Sequence, residues 1–60
     1  MLAPKEWLRR YRAQLAKRCP QYDKEMLDEL TGLEAHEALS AEYPDNPELA
    51  VDEDPDIAAS

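Results

Sequence analysis

An all-α fold is predicted for this 60-residue chain on three observations. Apolar side chains recur at helical spacing through residues 4–18, they do so again from Tyr22 to Leu33, and two Asn/Asp-Pro pairs near the C-terminus read as helix starts. The expected architecture is a helical hairpin of two to three short helices, residues 1–42, followed by an acidic, proline-containing, largely flexible tail, residues 43–60. Sixty residues form at most one domain, and a chain of this size is marginally stable alone. Dimerisation into a bundle or docking on a partner is the simplest remedy.

The first helix is expected over about 4–18. Pro4 suits a first helical position, Glu6 complements the N-terminal end of the dipole, and Lys17 and Arg18 complement the C-terminal end. Trp7, Leu8, Tyr11, Leu15 and Cys19 fall within an arc of about 120°, one apolar stripe. Pro20 disfavours helical backbone at Cys19 and ends the helix there.

A second helix is expected over about 21–30, with Tyr22, Met26, Leu30 and Leu33 on one stripe. Thr31-Gly32-Leu33-Glu34 matches a capping box with Thr31 as N-cap. A kink or break is expected at Thr31–Gly32, with a third helical piece over about 33–42 carrying Ala35, Ala38 and Leu39. One bent helix accounts for the same residues. The core of the hairpin, or of its dimer, is assigned to Trp7, Leu8, Tyr11, Leu15, Met26, Leu30 and Leu33.

Residues 43–60 contain three prolines, six acids and no base, a composition that resists packing. Asn46-Pro47-Glu48-Leu49-Ala50 recurs as Asp54-Pro55-Asp56-Ile57-Ala58 eight residues on. Each copy has an N-cap residue, a proline at N1 and an acid at N2. They read as two nascent helical turns, or as a duplicated docking motif inserting Leu49 and Ile57 into a partner.

Charge is segregated along the chain. Residues 1–19 hold six of the seven basic side chains and one acid, while residues 20–60 hold thirteen acids and one lysine, so +5 and −12 sum to the net −7. Such a layout favours encounter with a charged macromolecule. A partner-binding acidic face is assigned to Asp28, Glu34, Asp52, Glu53, Asp54 and Asp56, fitted to a basic protein surface or groove. Asp28, Glu34 and the tail acids can imitate a row of phosphates. The alternative is a dimeric nucleic-acid-binding protein reading phosphates with Lys5, Arg9, Arg12 and Lys17. Against it, Trp7 and Tyr11 lie on the apolar stripe and the remaining charge repels a polyanion.

Catalysis is not expected. His36 is the only histidine and its helical neighbours include no metal ligand or carboxylate to orient it, so it reads as solvated or cap-forming. Cys19, the only cysteine, allows no internal disulfide. It lies near basic residues at a helix C-terminus and reads as a packed thiol at the hairpin turn, with an intermolecular disulfide under oxidation as the alternative. The run Asp52-Glu53-Asp54-Pro55-Asp56 lacks the turn glycine and the twelfth-position glutamate of a calcium loop. No glycine loop is present to cradle phosphate. No metal and no cofactor are therefore assigned. No apolar run resembles a signal peptide or membrane span, and a reducing cytoplasm is the expected setting.

The arrangement Glu6-Trp7-Leu8, then Tyr11, Leu15 and Arg18, then an end rich in proline and acids, resembles short proteins encoded by bacteriophages and prophages. Some small acidic phage proteins inhibit host factors, including defence nucleases, so the resemblance implies a modulator of a host protein. The length is also similar to that of helical hairpins that dimerise into four-helix bundles.

Overall fold

The computed structural model describes residues 1–58. Among the described residues the chain forms five α-helices and no strand: α1 (Pro4–Arg18), α2 (Lys24–Leu30), α3 (Leu33–Leu39), α4 (Pro47–Asp52) and α5 (Pro55–Ala58). No helix among them is long and apolar enough to cross a membrane. The radius of gyration is 10.6 Å, against about 10 Å for a compact domain of this length.

α1 is the element on which the others pack. Pro4 stands at its start, Glu6 lies in its first turn, and Lys17 and Arg18 lie in its last. The amide of Cys19 closes the last turn on the Leu15 carbonyl at 2.8 Å. Trp7, Tyr11 and Leu15, four residues apart, turn into the core together with Cys19. Trp7 is fully buried. Its ring stacks on Tyr11 with centroids 5.1 Å apart, and its Nε1–H donates to the Tyr43 carbonyl at 2.6 Å. One side chain thus fills the centre and ties down a residue 36 positions away.

α2 begins at Asp23, whose carboxylate accepts the Met26 amide at 2.9 Å. It ends at Thr31, whose hydroxyl donates back to the Leu27 carbonyl at 2.6 Å. Thr31 therefore closes α2 rather than opening α3 as the capping-box pattern predicts. Gly32 occupies the N-cap of α3 and provides no side-chain cap. The helix does break at this place, since α2 stops at Leu30 and α3 resumes at Leu33.

The phase of α2 differs from the expectation. Met26, Leu30 and Leu33, assigned to the core, are 44%, 42% and 67% exposed, while Leu27 is buried. Leu27 lies about 100° around the helix from Met26. With Leu27 inward, Asp28 reaches Arg12 of α1. Val51 and Ile57, from beyond residue 43, are buried in the same core cluster as Leu27. α3 contributes Ala35 and Leu39 at the core's margin, and Ala38 is exposed. Leu8 is half-buried, packed against the same cluster.

The composition of residues 43–60 predicts a largely flexible acidic tail; among the described residues of that segment, Pro47, Ala50, Val51 and Ile57 are buried. Leu2 donates its amide to the Pro44 carbonyl at 3.3 Å, joining this connection to the start of α1. Asn46 caps α4 by accepting the Leu49 amide at 3.2 Å. Asp54 caps α5 by accepting the Asp56 amide at 2.9 Å. Each copy of the repeated pattern thus starts a helix. Pro47, Ala50 and Val51 of α4 face inward, and Leu49 is the residue left partly exposed. The physical reason is partnership at a distance: the acids of α4 meet cations of α1, which local composition does not register. The last two residues of the expected tail, 59 and 60, lie outside the described residues.

Candidate protein-binding surface

The carboxylates divide into those that face a cation or donor of this chain and those that do not. Along α1 and α4 the Nε and Nη2 donors of Arg10 meet both oxygens of Glu48 at 2.8 Å, a bidentate pair. Gln14 donates to Asp52 at 2.9 Å, and Arg18 reaches the same oxygen at 2.5 Å. Partners rising together in number mean that α1 and α4 run in the same direction. The pairs hold the acids ionised. Hydrogen bonding from Arg10 lowers the Glu48 pKa, and hydrogen bonds from Gln14 and then Arg18 lower that of Asp52.

Of the six acids assigned to a partner-binding face, the structure commits four to internal contacts. Asp28 pairs with Arg12, whose hydrogen bond lowers its pKa. Asp52 belongs to the α1–α4 ladder. Glu53 accepts the Tyr43 hydroxyl at 2.8 Å and, by holding that proton, pushes the tyrosine pKa up to about 12. Asp54 caps α5. Glu34 and Asp56 are exposed. The structure brings Asp54 and Asp56 to one cleft and leaves Asp28 on a different face.

The alternative basic face is similarly divided. Arg9 pairs with Glu6 of its own helix at 2.5 Å, and Arg12 pairs with Asp28. Lys5 and Lys17 are exposed and make no ion pair among the described residues.

A surface the residue pattern did not single out lies on α2. Asp23, Glu25, Met26, Asp28 and Glu29 line an open groove of about 470 Å³. Glu25 and Glu29 make no ion pair among the described residues. Beside them the exposed apolar side chains of Met26, Leu30 and Leu33 continue at spacings of four and three. A helical wheel places Glu25, Met26 and Glu29 on the outer side once Leu27 points inward, so the signal was present but hung on that phase. Chemically the surface offers a short apolar strip bordered by fixed negative charge. Such a strip suits a protein surface with apolar anchors and a basic rim.

His36, read as solvated or cap-forming, packs instead. Its ring meets Trp7 edge to face, centroids 5.4 Å apart and planes at 84°, and its Nε2 is buried without a hydrogen-bond partner among the described residues. Cys19 is a buried free thiol at the α1–α2 turn. No group of three or more His, Cys, Asp or Glu among the described residues is arranged to hold a metal ion. No family model, curated protein or solved structure matches the chain.

Proposed function

We propose that this chain is a small acidic protein-binding module that docks on a basic protein surface through the outer side of α2 and the start of α3. The observation that carries the reading is the co-location of Glu25 and Glu29, unpaired among the described residues, with exposed Met26 and Leu30. An exposed apolar strip costs stability unless something covers it, and a charged border selects what does. The rim is negative on every copy, so two copies meeting through this face place like charges together, which disfavours a homodimer there. The basic side chains Arg9 and Arg12 are already engaged by Glu6 and Asp28, which leaves less of α1 for phosphates. The resemblance to short phage-encoded proteins supports a host protein as the partner, with modulation or inhibition as the outcome.

Capture from a host lysate followed by mass spectrometry tests the reading. The Glu25→Gln/Glu29→Gln variant is expected to lose the captured protein, and Met26→Ser/Leu30→Ser is expected to weaken capture at unchanged charge. Glu37→Gln/Glu42→Gln, which removes the same charge elsewhere, is expected to retain it. Equal capture by all three variants overturns the docking surface.

A further inference from the structure

A second concavity lies where the turn after α1 meets α5. Its volume is about 160 Å³, below the roughly 300 Å³ at which pockets accept a whole small ligand, so its natural occupant is a single side chain. Leu15, Leu30 and Ile57 form its apolar wall, Tyr11 and Tyr22 bring aromatic rings, and Asp54 and Asp56 bring carboxylates. No basic residue lines it, and neither aspartate makes an ion pair among the described residues, the α5 cap at Asp54 Oδ1 being a hydrogen bond that leaves the carboxylate's charge without a counterion there. We propose that this cleft is a receptor for one long cationic side chain, lysine or arginine, presented by the protein that docks on α2.

The chemistry of the lining selects that occupant. Long basic side chains have an aliphatic stem and a charged head, and they bury the stem while the head seeks polar company. Here the stem meets Leu15, Leu30 and Ile57, and the head meets two carboxylates beside tyrosine rings. An apolar side chain would leave the aspartates without a counterion, and an acidic one would be repelled. The negative field inside is felt by the tyrosines. The Tyr11 pKa is raised by burial first and by Asp54 second. That of Tyr22 is raised chiefly by Cys19, with Asp54 and Asp56 adding to it. Leu30 lines this cleft and also belongs to the exposed strip of α2, so a segment lying on α2 passes its mouth.

This inference rests on the docking reading for the source of the side chain, but the cleft's chemistry is measurable without the partner. The full chain, isotopically labelled, is titrated with N-acetyl-arginine amide, N-acetyl-lysine amide and N-acetyl-norleucine amide while amide and methyl NMR shifts are followed. The two cationic probes are expected to move Tyr11, Tyr22, Leu30 and Ile57 together, at least five-fold more than norleucine does at equal concentration. Asp54→Asn/Asp56→Asn is expected to abolish the difference, and the first of these changes keeps a side-chain oxygen to accept the α5 cap. Equal shifts with norleucine, equal shifts with magnesium chloride, shifts spread over all exposed acids, or the same shifts appearing on self-association without probe each overturn the cleft. If probes bind but Glu25→Gln/Glu29→Gln captures its protein unchanged, the α2 surface fails and the cleft stands. If capture depends on Glu25 and Glu29 but the probes do not discriminate, the cleft fails and the surface stands.

Discussion

Two helices flank α1 with similar composition and opposite use of it. α4 turns Pro47, Ala50 and Val51 into the core and sets Glu48 and Asp52 against Arg10, Gln14 and Arg18. α2 turns in only Leu27, pairs one acid with Arg12, and leaves Met26, Leu30, Glu25 and Glu29 outward. Residue type alone therefore does not separate structural acids from free ones. A carboxylate facing a guanidinium of its own fold is committed, whereas one bordering an exposed leucine is available. The proposed division is therefore between a side of α1 that holds the fold and a side that meets a partner.

Cavity-forming substitutions separate the two sides of α1 most directly. Trp7→Ala removes the fully buried indole and its hydrogen bond to Tyr43, and is expected to cost about 3–5 kcal/mol. In a domain this small such a loss takes most of the stability, so circular dichroism should report an unfolded or barely cooperative chain. Val51→Ala, also at a fully buried position, deletes two methyl groups and should cost roughly 1.5–2.5 kcal/mol. Leu33→Ala deletes a larger volume, but from a 67% exposed side chain, and should stay within about 0.5 kcal/mol of the parent. A Leu33 loss equal to that of Val51 would erase the distinction between the two sides.

Much of the first contrast was legible in the residues. α1 lies between Pro4 and Pro20, where its stripe places it, because both prolines act locally on the backbone. The starts of α4 and α5 follow from Asn46-Pro47 and Asp54-Pro55 for the same reason. The phase of α2 was not legible. Leu27 and the Met26–Leu30 stripe are equally apolar, so local spacing does not rank them; with Leu27 buried, its neighbour Asp28 meets Arg12, 16 positions back in the chain. Nor did composition reveal that Pro47, Ala50, Val51 and Ile57 pack, since two acids of that segment, Glu48 and Asp52, find cations 38 and 34 positions back in the chain. Local pattern accordingly assigns Asp28 and Asp52 to a partner although their nearest cations are internal, and it passes over Glu25 and Glu29.

Acid and alkali each probe the internal pairs. Glu48, Asp52 and Asp28 have folded pKa values lowered by Arg10, by Gln14 and Arg18, and by Arg12 respectively. A lowered carboxylate contributes stability that is present above its unfolded value, near ~4, and lost as pH falls through its folded value. Stability should therefore decline from about pH 5 downward, and Glu48→Gln should flatten that decline. At the other end, Tyr43 is raised to about 12 by Glu53. Its contribution is present below the unfolded tyrosine value of about 10 and lost as pH rises towards 12. Tyr43→Phe should remove that alkaline loss in urea titrations run at successive pH values. A steeper acid slope in Glu48→Gln would contradict the assignment of the α1–α4 ladder as the fold's own electrostatic contact.

A modest gain in stability, rather than a loss, is expected at the joint between α2 and α3. Gly32 has φ −80° and ψ 177°, an extended conformation open to any residue, and a Cβ built on it meets only the Glu29 carbonyl oxygen at 4.0 Å. Nothing in the backbone requires glycine, while its freedom in the unfolded chain is a cost to folding. Serine adds a hydroxyl where α3 has no side-chain cap. Gly32→Ser is therefore expected to stabilise the chain by about 0.4–1 kcal/mol, a rise of a few degrees in Tm. If the α2–α3 side serves a partner rather than the core, fixing this joint should leave capture intact or tighten it, since the exposed strip spans it. Higher stability with capture lost would mean that the joint must bend for docking, and the surface would then be one that forms on contact rather than one the fold already presents.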